Sequence, residues 1–354
     1  MSTPREEGRR PREHPLRLWL GLTAAILLVG VLAGVLGVPA GWLLAGLLVG
    51  LAVALARWPT PELPRPAFLA AEAVTGAALG TLVEPGVLAE VGRALPAVLG
   101  IALGTLGLSV LAGVVLARVS SLDRPTGVFG MLAGAATGVI AASEEARADA
   151  RLVAVMQFSR VIVVVGTLPV VVGLGFPHGA VSAAPPGAAP SLIGVLFFAA
   201  VTLVGATGAS ALRIPLGVLI GPLAAATLLA ALGAPLLAPD AVRAGAFAVV
   251  GLAVGLTFDR EPLRDAGRLL PVMLAGTLFL ILGSGVLGLA LAVTSGVDGR
   301  TAYLATSPGG LTAVLATAYA TGADATFVAA VQVLRFLVVL LALPVVARLF
   351  PRRI

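Results

Sequence analysis

Two glutamine–arginine pairs stand inside runs that are otherwise apolar. Gln157 and Arg160 lie in LVAVMQFSRVIVVVGTLPV, Gln332 and Arg335 in FVAAVQVLRFLVVLLALPV. A spacing of three puts each pair on one helix face. Asp149 and Asp324 precede the runs and read as helix N-caps. Each arginine follows its aspartate by eleven residues, which at ~1.5 Å per residue is ~16 Å, about half of a ~30 Å hydrocarbon core. An ionised side chain at that depth costs a few kcal/mol or more and faces a cavity or a partner. The arginines either hold a small anion or bond the carbonyls of broken backbone, and one residue can do both.

Other polar groups cluster in sequence around a backbone interruption. Ser307, Pro308, Gly309 and Gly310 break what would otherwise be a helix. The amides of Gly309 and Gly310 suit an anion-binding nest, although small residues also serve close helix packing. Ser307, Thr312 and Thr137 are candidate hydroxyl ligands. Glu72, in AFLAAEAVTG, is the one carboxylate well inside an apolar stretch, seven residues beyond Arg65. It is a candidate to carry a coupling proton, with pairing to a buried arginine or snorkelling to the interface as the alternatives. Glu84, Glu90, Asp259, Glu261 and Asp265 are expected in solvated loops.

Much chemistry is excluded. The chain has no cysteine, so it offers no disulfide or thiolate. Its two histidines, His14 and His178, fall in a basic tail and in a Gly/Pro/Ala stretch. There is no HExxH, Walker or GxSxG pattern. Neither enzyme activity nor a metal or cofactor is expected.

The elements that must position these groups are membrane helices. Of 354 residues, 59% are hydrophobic and 11% charged, with mean hydropathy +1.07, whereas a soluble domain carries about 25% charge. The arginines gather at segment ends, which fits membrane orientation rather than nucleic acid. Twelve apolar stretches are long enough, or nearly so: 17–37, 39–56, 67–83, 94–118, 126–143, 150–174, 191–212, 215–235, 243–258, 269–294, 301–319 and 325–348. The first is read as a retained helix, not a cleaved signal peptide. The organisation is a basic cytoplasmic tail at 1–16, a membrane repeat at 17–174, a linker at 175–190 and a second repeat at 191–350.

The repeat is direct. Residues 76–171 match 251–346 at a constant offset of 175, with 34 identities in 96 positions. The rarer residue types carry it: GRALP faces GRLLP, Asp123 and Thr126 face Asp298 and Thr301, and Asp149, Gln157 and Arg160 face Asp324, Gln332 and Arg335. VPAG at 38–41 faces IPLG at 214–217, and Thr137 faces Thr312. Glu72 faces Phe247, so its role is not duplicated.

If the fifth segment of each half dips in and returns, each half crosses five times and the second half is inverted. Arginine placement favours this. With the basic tail inside, and Arg160 and Arg335 set aside, parallel halves put 14 arginines inside and 7 outside. Inverted halves put 18 inside and only Arg93, Arg243 and Arg300 outside. The expected fold is an all-α polytopic membrane protein of two homologous halves, inverted repeats of five spanning helices plus one re-entrant segment each.

The pattern PGGLTAVLATAYATGAD followed by VAAVQVLRFLVV resembles the AbrB family of bacterial membrane proteins, also called "AbrB duplication" proteins and labelled as ammonia monooxygenases or as regulators of gene expression. The motif maps onto Pro308, Gly309, Gly310, Gly322, Ala323, Asp324, Gln332 and Arg335, and the resemblance covers about 20–350. The first copy has Ala133-Gly134-Ala135 in place of PGG. The resemblance implies a multi-pass protein of the bacterial inner membrane. The expected function is secondary transport of a small anion or carboxylate at a midplane site formed by Arg160, Arg335, Gln157, Gln332, Ser307, Gly309, Gly310, Thr312 and Thr137, with Glu72 as the proton-coupling candidate. The alternative is a membrane-embedded regulator without its own DNA-binding domain. Both termini are expected in the cytoplasm. Expected partners are the lipid bilayer and a small anionic solute, with no direct nucleic acid; homodimerisation is left open.

Overall fold

In the computed structural model the described residues are 15–38, 40–56, 62–81, 87–134, 136–176, 192–214, 216–234, 236–257 and 267–348. The tail at 1–14, most of the linker (177–190), Glu84, Asp259, Glu261 and Asp265 lie outside them, as do His14 and His178. Among the described residues there are fourteen helices and no strand. The first half comprises α1 (Pro15–Val35), α2 (Gly41–Leu55), α3 (Arg65–Gly80), α4 (Val87–Val119), α5 (Arg124–Met131), α6 (Ala136–Glu145) and α7 (Ala150–Gly175). The second comprises α8 (Leu192–Ala211), α9 (Gly217–Ala231), α10 (Asp240–Leu256), α11 (Leu270–Ser295), α12 (Gly299–Thr306), α13 (Leu311–Thr321) and α14 (Ala325–Arg348). The two sets match helix for helix. Glu90, expected in a loop, falls instead within α4, which begins a full turn and more before the apolar stretch.

Among the described residues six helices are long and apolar enough to cross a membrane: α1, α4, α7, α8, α11 and α14. Their outer faces carry large exposed side chains such as Leu28, Val204, Leu289 and Leu341, as a lipid-facing surface requires. The other four expected spans, α2, α3, α9 and α10, have 15–17 residues, or about 22–26 Å. These shorter helices form the closest contacts between the halves.

α2 crosses α10, and α3 crosses α9. Glycine makes the approach possible. Gly251 of α10 would place a Cβ 2.0 Å from the Leu43 carbonyl oxygen, and Gly46 of α2 would place one 2.0 Å from that of Ala248. In the mirror crossing, Gly76 would meet the Leu219 oxygen at 2.1 Å. Gly46/Gly50, Gly76/Gly80 and Gly251/Gly255 are small-xxx-small pairs, which let membrane helices touch backbone to backbone. With α1 on α2 and α8 on α9, these helices form a scaffold. The remaining helices form a second layer, in which α4 packs on α11, α5 on α7, and α12 on α14.

That second layer holds the broken segments. The helix from Arg124 stops at Met131 and resumes at Ala136; the helix from Gly299 stops at Thr306 and resumes at Leu311. The breaks differ in chemistry. Pro308 cannot continue α12, whereas the first break turns on Gly134, whose φ of 132° suits only glycine. Each broken pair returns to its start. The Asp324 amide donates to Thr301 Oγ1 at 2.9 Å, and the Asp149 amide to Thr126 Oγ1 at 2.8 Å. α5–α6 and α12–α13 are therefore helical hairpins closed at the base by matched hydrogen bonds.

Candidate functional site at the broken helices

The caps set the register. Asp149 Oδ1 accepts from the Leu152 amide at 3.0 Å, and Asp324 Oδ1 from the Thr326 and Phe327 amides at 3.0 and 2.9 Å. From these starts α7 and α14 carry their glutamine and arginine to the hairpin tips. α13, with eleven residues, is ~16 Å long. That equals the distance from Asp324 to Arg335 along α14, so tip and guanidinium meet at one depth.

At the second tip Gln332 Nε2 lies within donating distance of the carbonyls of Leu304, Ala305 and Ser307, at 3.0–3.2 Å. Arg335 Nη1 donates to Ser307 at 2.6 Å and to Thr306 at 3.3 Å, and Nη2 donates to Gln332 Oε1 at 2.6 Å. The first tip repeats the motif. Gln157 Nε2 donates to Phe129 and Leu132, both at 2.9 Å. Arg160 Nη1 donates to Leu132 at 2.9 Å and Met131 at 3.2 Å, and Nη2 to Gln157 Oε1 at 2.6 Å. All four side chains are buried. The carbonyls freed by each break are met by buried donors, which the glutamine and arginine supply.

Both arginines keep Nε–H without a partner, as does the Ser307 hydroxyl. Among the described residues no carboxylate pairs with either guanidinium. The two groups lie near enough to act on each other electrostatically. Among the described residues these two guanidinium groups are met by carbonyl oxygens alone.

The tips also reach across the halves. A Cβ on Gly309 would lie 3.1 Å from Val164 of α7, and one on Gly134 would lie 3.6 Å from Val339 of α14. Val164 and Val339 are matched positions. α13 starts after Gly310 with no side-chain cap, at the boundary where it meets α3 and α10. There Glu72 of α3 lies near Thr312. The structure brings Arg335, Gln332, Ser307, Gly309, Gly310, Thr312 and Glu72 to one tip, and Arg160 and Gln157 to the other. Thr137 lies in α6, and its side chain is outside the description.

Several contributors escaped the sequence. The carbonyls that the arginines hold carry no side-chain signature. Arg300 caps the far end of α13 through the Thr321 carbonyl, and Tyr319 of α13 packs edge-on against Phe247 of α10, centroids 5.8 Å apart. Cross-half crossings were signalled by the paired glycines at spacing four.

The chain matches the family model described as "Transition state regulatory protein AbrB" over residues 2–104 and 62–351. It is similar to "Putative regulator AbrB" of Escherichia coli K12, 36% identical over 292 residues, 82% of this chain and 84% of that one. It is also 25% identical over 259 residues to "Uncharacterized protein YhjN" of Bacillus subtilis 168, covering 68% of this chain and 67% of the relative. A duplicated, all-helical, multi-pass chain with these matches belongs to the AbrB family.

Proposed function

We propose that the protein is a secondary transporter for a small anion or carboxylate. In this reading the two halves are inverted, each hairpin enters and leaves the membrane on one side, and both termini face the cytoplasm of a bacterial inner membrane. The observation that carries it is the matched pair of hairpin tips, each a break between two helices and each held by a buried Gln–Arg pair. Breaks at membrane depth are kept where they line a protein-enclosed or water-filled cavity. A cavity there would be made electropositive by the two arginines and the uncapped start of α13, which suits an anionic solute.

Roles within the site follow from the bonds. Gln157, Gln332 and the Nη atoms of Arg160 and Arg335 hold the tips open. The unpartnered Nε–H groups, the Ser307 hydroxyl, Thr312 and the amides around Gly309 and Gly310 meet the solute, with Thr137 at the matched place. Glu72 stands on the scaffold opposite Thr312. Its carboxylate competes with an anion for the same helix start, so protonating it as the solute binds links the two ligands.

Uptake by proteoliposomes tests this. Wild type should accumulate a small carboxylate or inorganic anion down an imposed proton gradient. Glu72→Gln should retain exchange of that anion and lose the response to the gradient. Stably folded Arg335→Ala transporting as fast as wild type would overturn the site.

The printed names of the family and of the E. coli relative favour a second reading, a membrane-embedded regulator of gene expression. Transcript changes on deletion that are fully restored by a transport-dead Arg335 variant would support it.

A further inference from the structure

Arg243 of α10 lies with its guanidinium carbon 4.5 Å above the ring of Tyr319 on α13, and it also pairs with Asp240. Phe247, one turn further along α10, meets the same ring edge-on. α10 belongs to the scaffold and Tyr319 to a hairpin of the second layer. One mouth of the boundary between the layers is therefore latched by a cation–π stack.

The other mouth is not. At the offset of 175, Asp240, Arg243, Phe247 and Tyr319 correspond to Arg65, Phe68, Glu72 and Glu144. Arg65 and Glu144 are exposed, and α6 packs on α5, α7 and α14. Its twin α13 packs in addition on α3 and α10. Two halves of common origin thus hold unequal poses: one hairpin docked on the scaffold, the other withdrawn.

Two matched halves in different poses define a second state, in which the poses are exchanged. We infer that in the exchanged state α6 docks on α3 and Glu144 pairs with Arg65, forming a second gate made of an ion pair. By the same correspondence α6 would bring Glu144 over Phe68 and towards Glu72; Arg65, one turn before Phe68, is the scaffold cation within reach, and both Arg65 and Glu144 are exposed. The arginine distribution places this pair on the cytoplasmic side and Arg243 on the other. The structure described here is then the state open to the cytoplasm. The inference deepens the transporter reading and rests on it for its purpose, but its test requires no solute.

Glu145 is exposed, while its counterpart Ala320 packs into the scaffold cluster. A cysteine at 145 in this cysteine-free chain therefore reports docking of α6 through its rate of thiol labelling in nanodiscs. Arg243→Ala should release the latch and slow labelling. Arg65→Glu in that background should raise the rate about two- to fivefold, the range an exposed ion pair commands, and adding Glu144→Arg should lower it again. In parallel, an Arg65→Cys/Glu144→Cys pair should cross-link more in the Arg243→Ala background. Labelling unaltered by Arg65→Glu, or absence of the cross-link, overturns the second gate. Gating without any solute uptake would instead overturn the transporter reading and leave the gate standing.

Discussion

Replacing Gln332 with leucine keeps the size of the side chain but removes its NH2 group, whose two hydrogens serve three carbonyls, and the oxygen that accepts from Arg335. Not all of the loss is bare. The Ser307 carbonyl keeps Arg335 Nη1 at 2.6 Å, and the Leu304 carbonyl keeps the Ser307 amide at 3.3 Å. The Ala305 carbonyl and the Arg335 Nη2 donor lose their side-chain partner. Two stranded buried groups cost ~1–3 kcal/mol each. Hydrogen bonds within membranes average ~0.6 kcal/mol apiece, so the two donated and the one accepted sum to about 1.8 kcal/mol. The first route gives ~2–6 kcal/mol and the second ~1.8, so the expected loss is ~2–4 kcal/mol. Gln157→Leu should cost the same to within about 1 kcal/mol, because Leu132 keeps Arg160 Nη1 while Phe129 and Arg160 Nη2 are stranded. Ser159→Ala, which loses only a bond to its own helix at Met156, should change little. Reversible unfolding of purified protein in mixed micelles gives all three values. A Gln332→Leu protein as stable as wild type would refute the claim that these glutamines brace the tips.

The interlock of the halves makes a steric prediction. Gly251→Ala drives a Cβ to 2.0 Å from a backbone oxygen that cannot yield, while Gly100 has nothing within 4 Å. Thermal melting should show ~1–3 kcal/mol or more lost by the first, and no loss or a gain of up to ~1 kcal/mol for Gly100→Ala. Closure of the hairpins predicts a local effect. Thr301→Val strips the Asp324 amide of its acceptor, so that amide should exchange with deuterium faster while the centre of α14 stays protected; unchanged exchange would show that the base of α12–α13 is held otherwise.

Local features were readable because each needs only neighbouring residues. Asp149 and Asp324 announce their caps, Pro308 its break, and the three-residue spacing of Gln332 and Arg335 their shared face. The repeat even located Gln157 and Arg160 at a second tip where no PGG stands. What escaped was set by distant parts of the chain. That α2 crosses α10, and α3 crosses α9, depends on Gly46, Gly76 and Gly251 meeting backbone from the opposite half. The arginines were read as facing a cavity or a carbonyl; only the folded tips show how many carbonyls they hold. The approach of Glu72 to Thr312 joins residues 240 positions apart, beyond any periodicity argument.

The account depends most on the opposed orientation of two halves that share an ancestor. Single cysteines replacing Arg147 and Gly322, each beside the closed base of a hairpin and exposed, can be labelled in intact cells with a membrane-impermeant thiol reagent. With the halves opposed, the cysteine at 322 should react from outside and the one at 147 only after the membrane is permeabilised. Reaction of both from the same side would contradict that orientation.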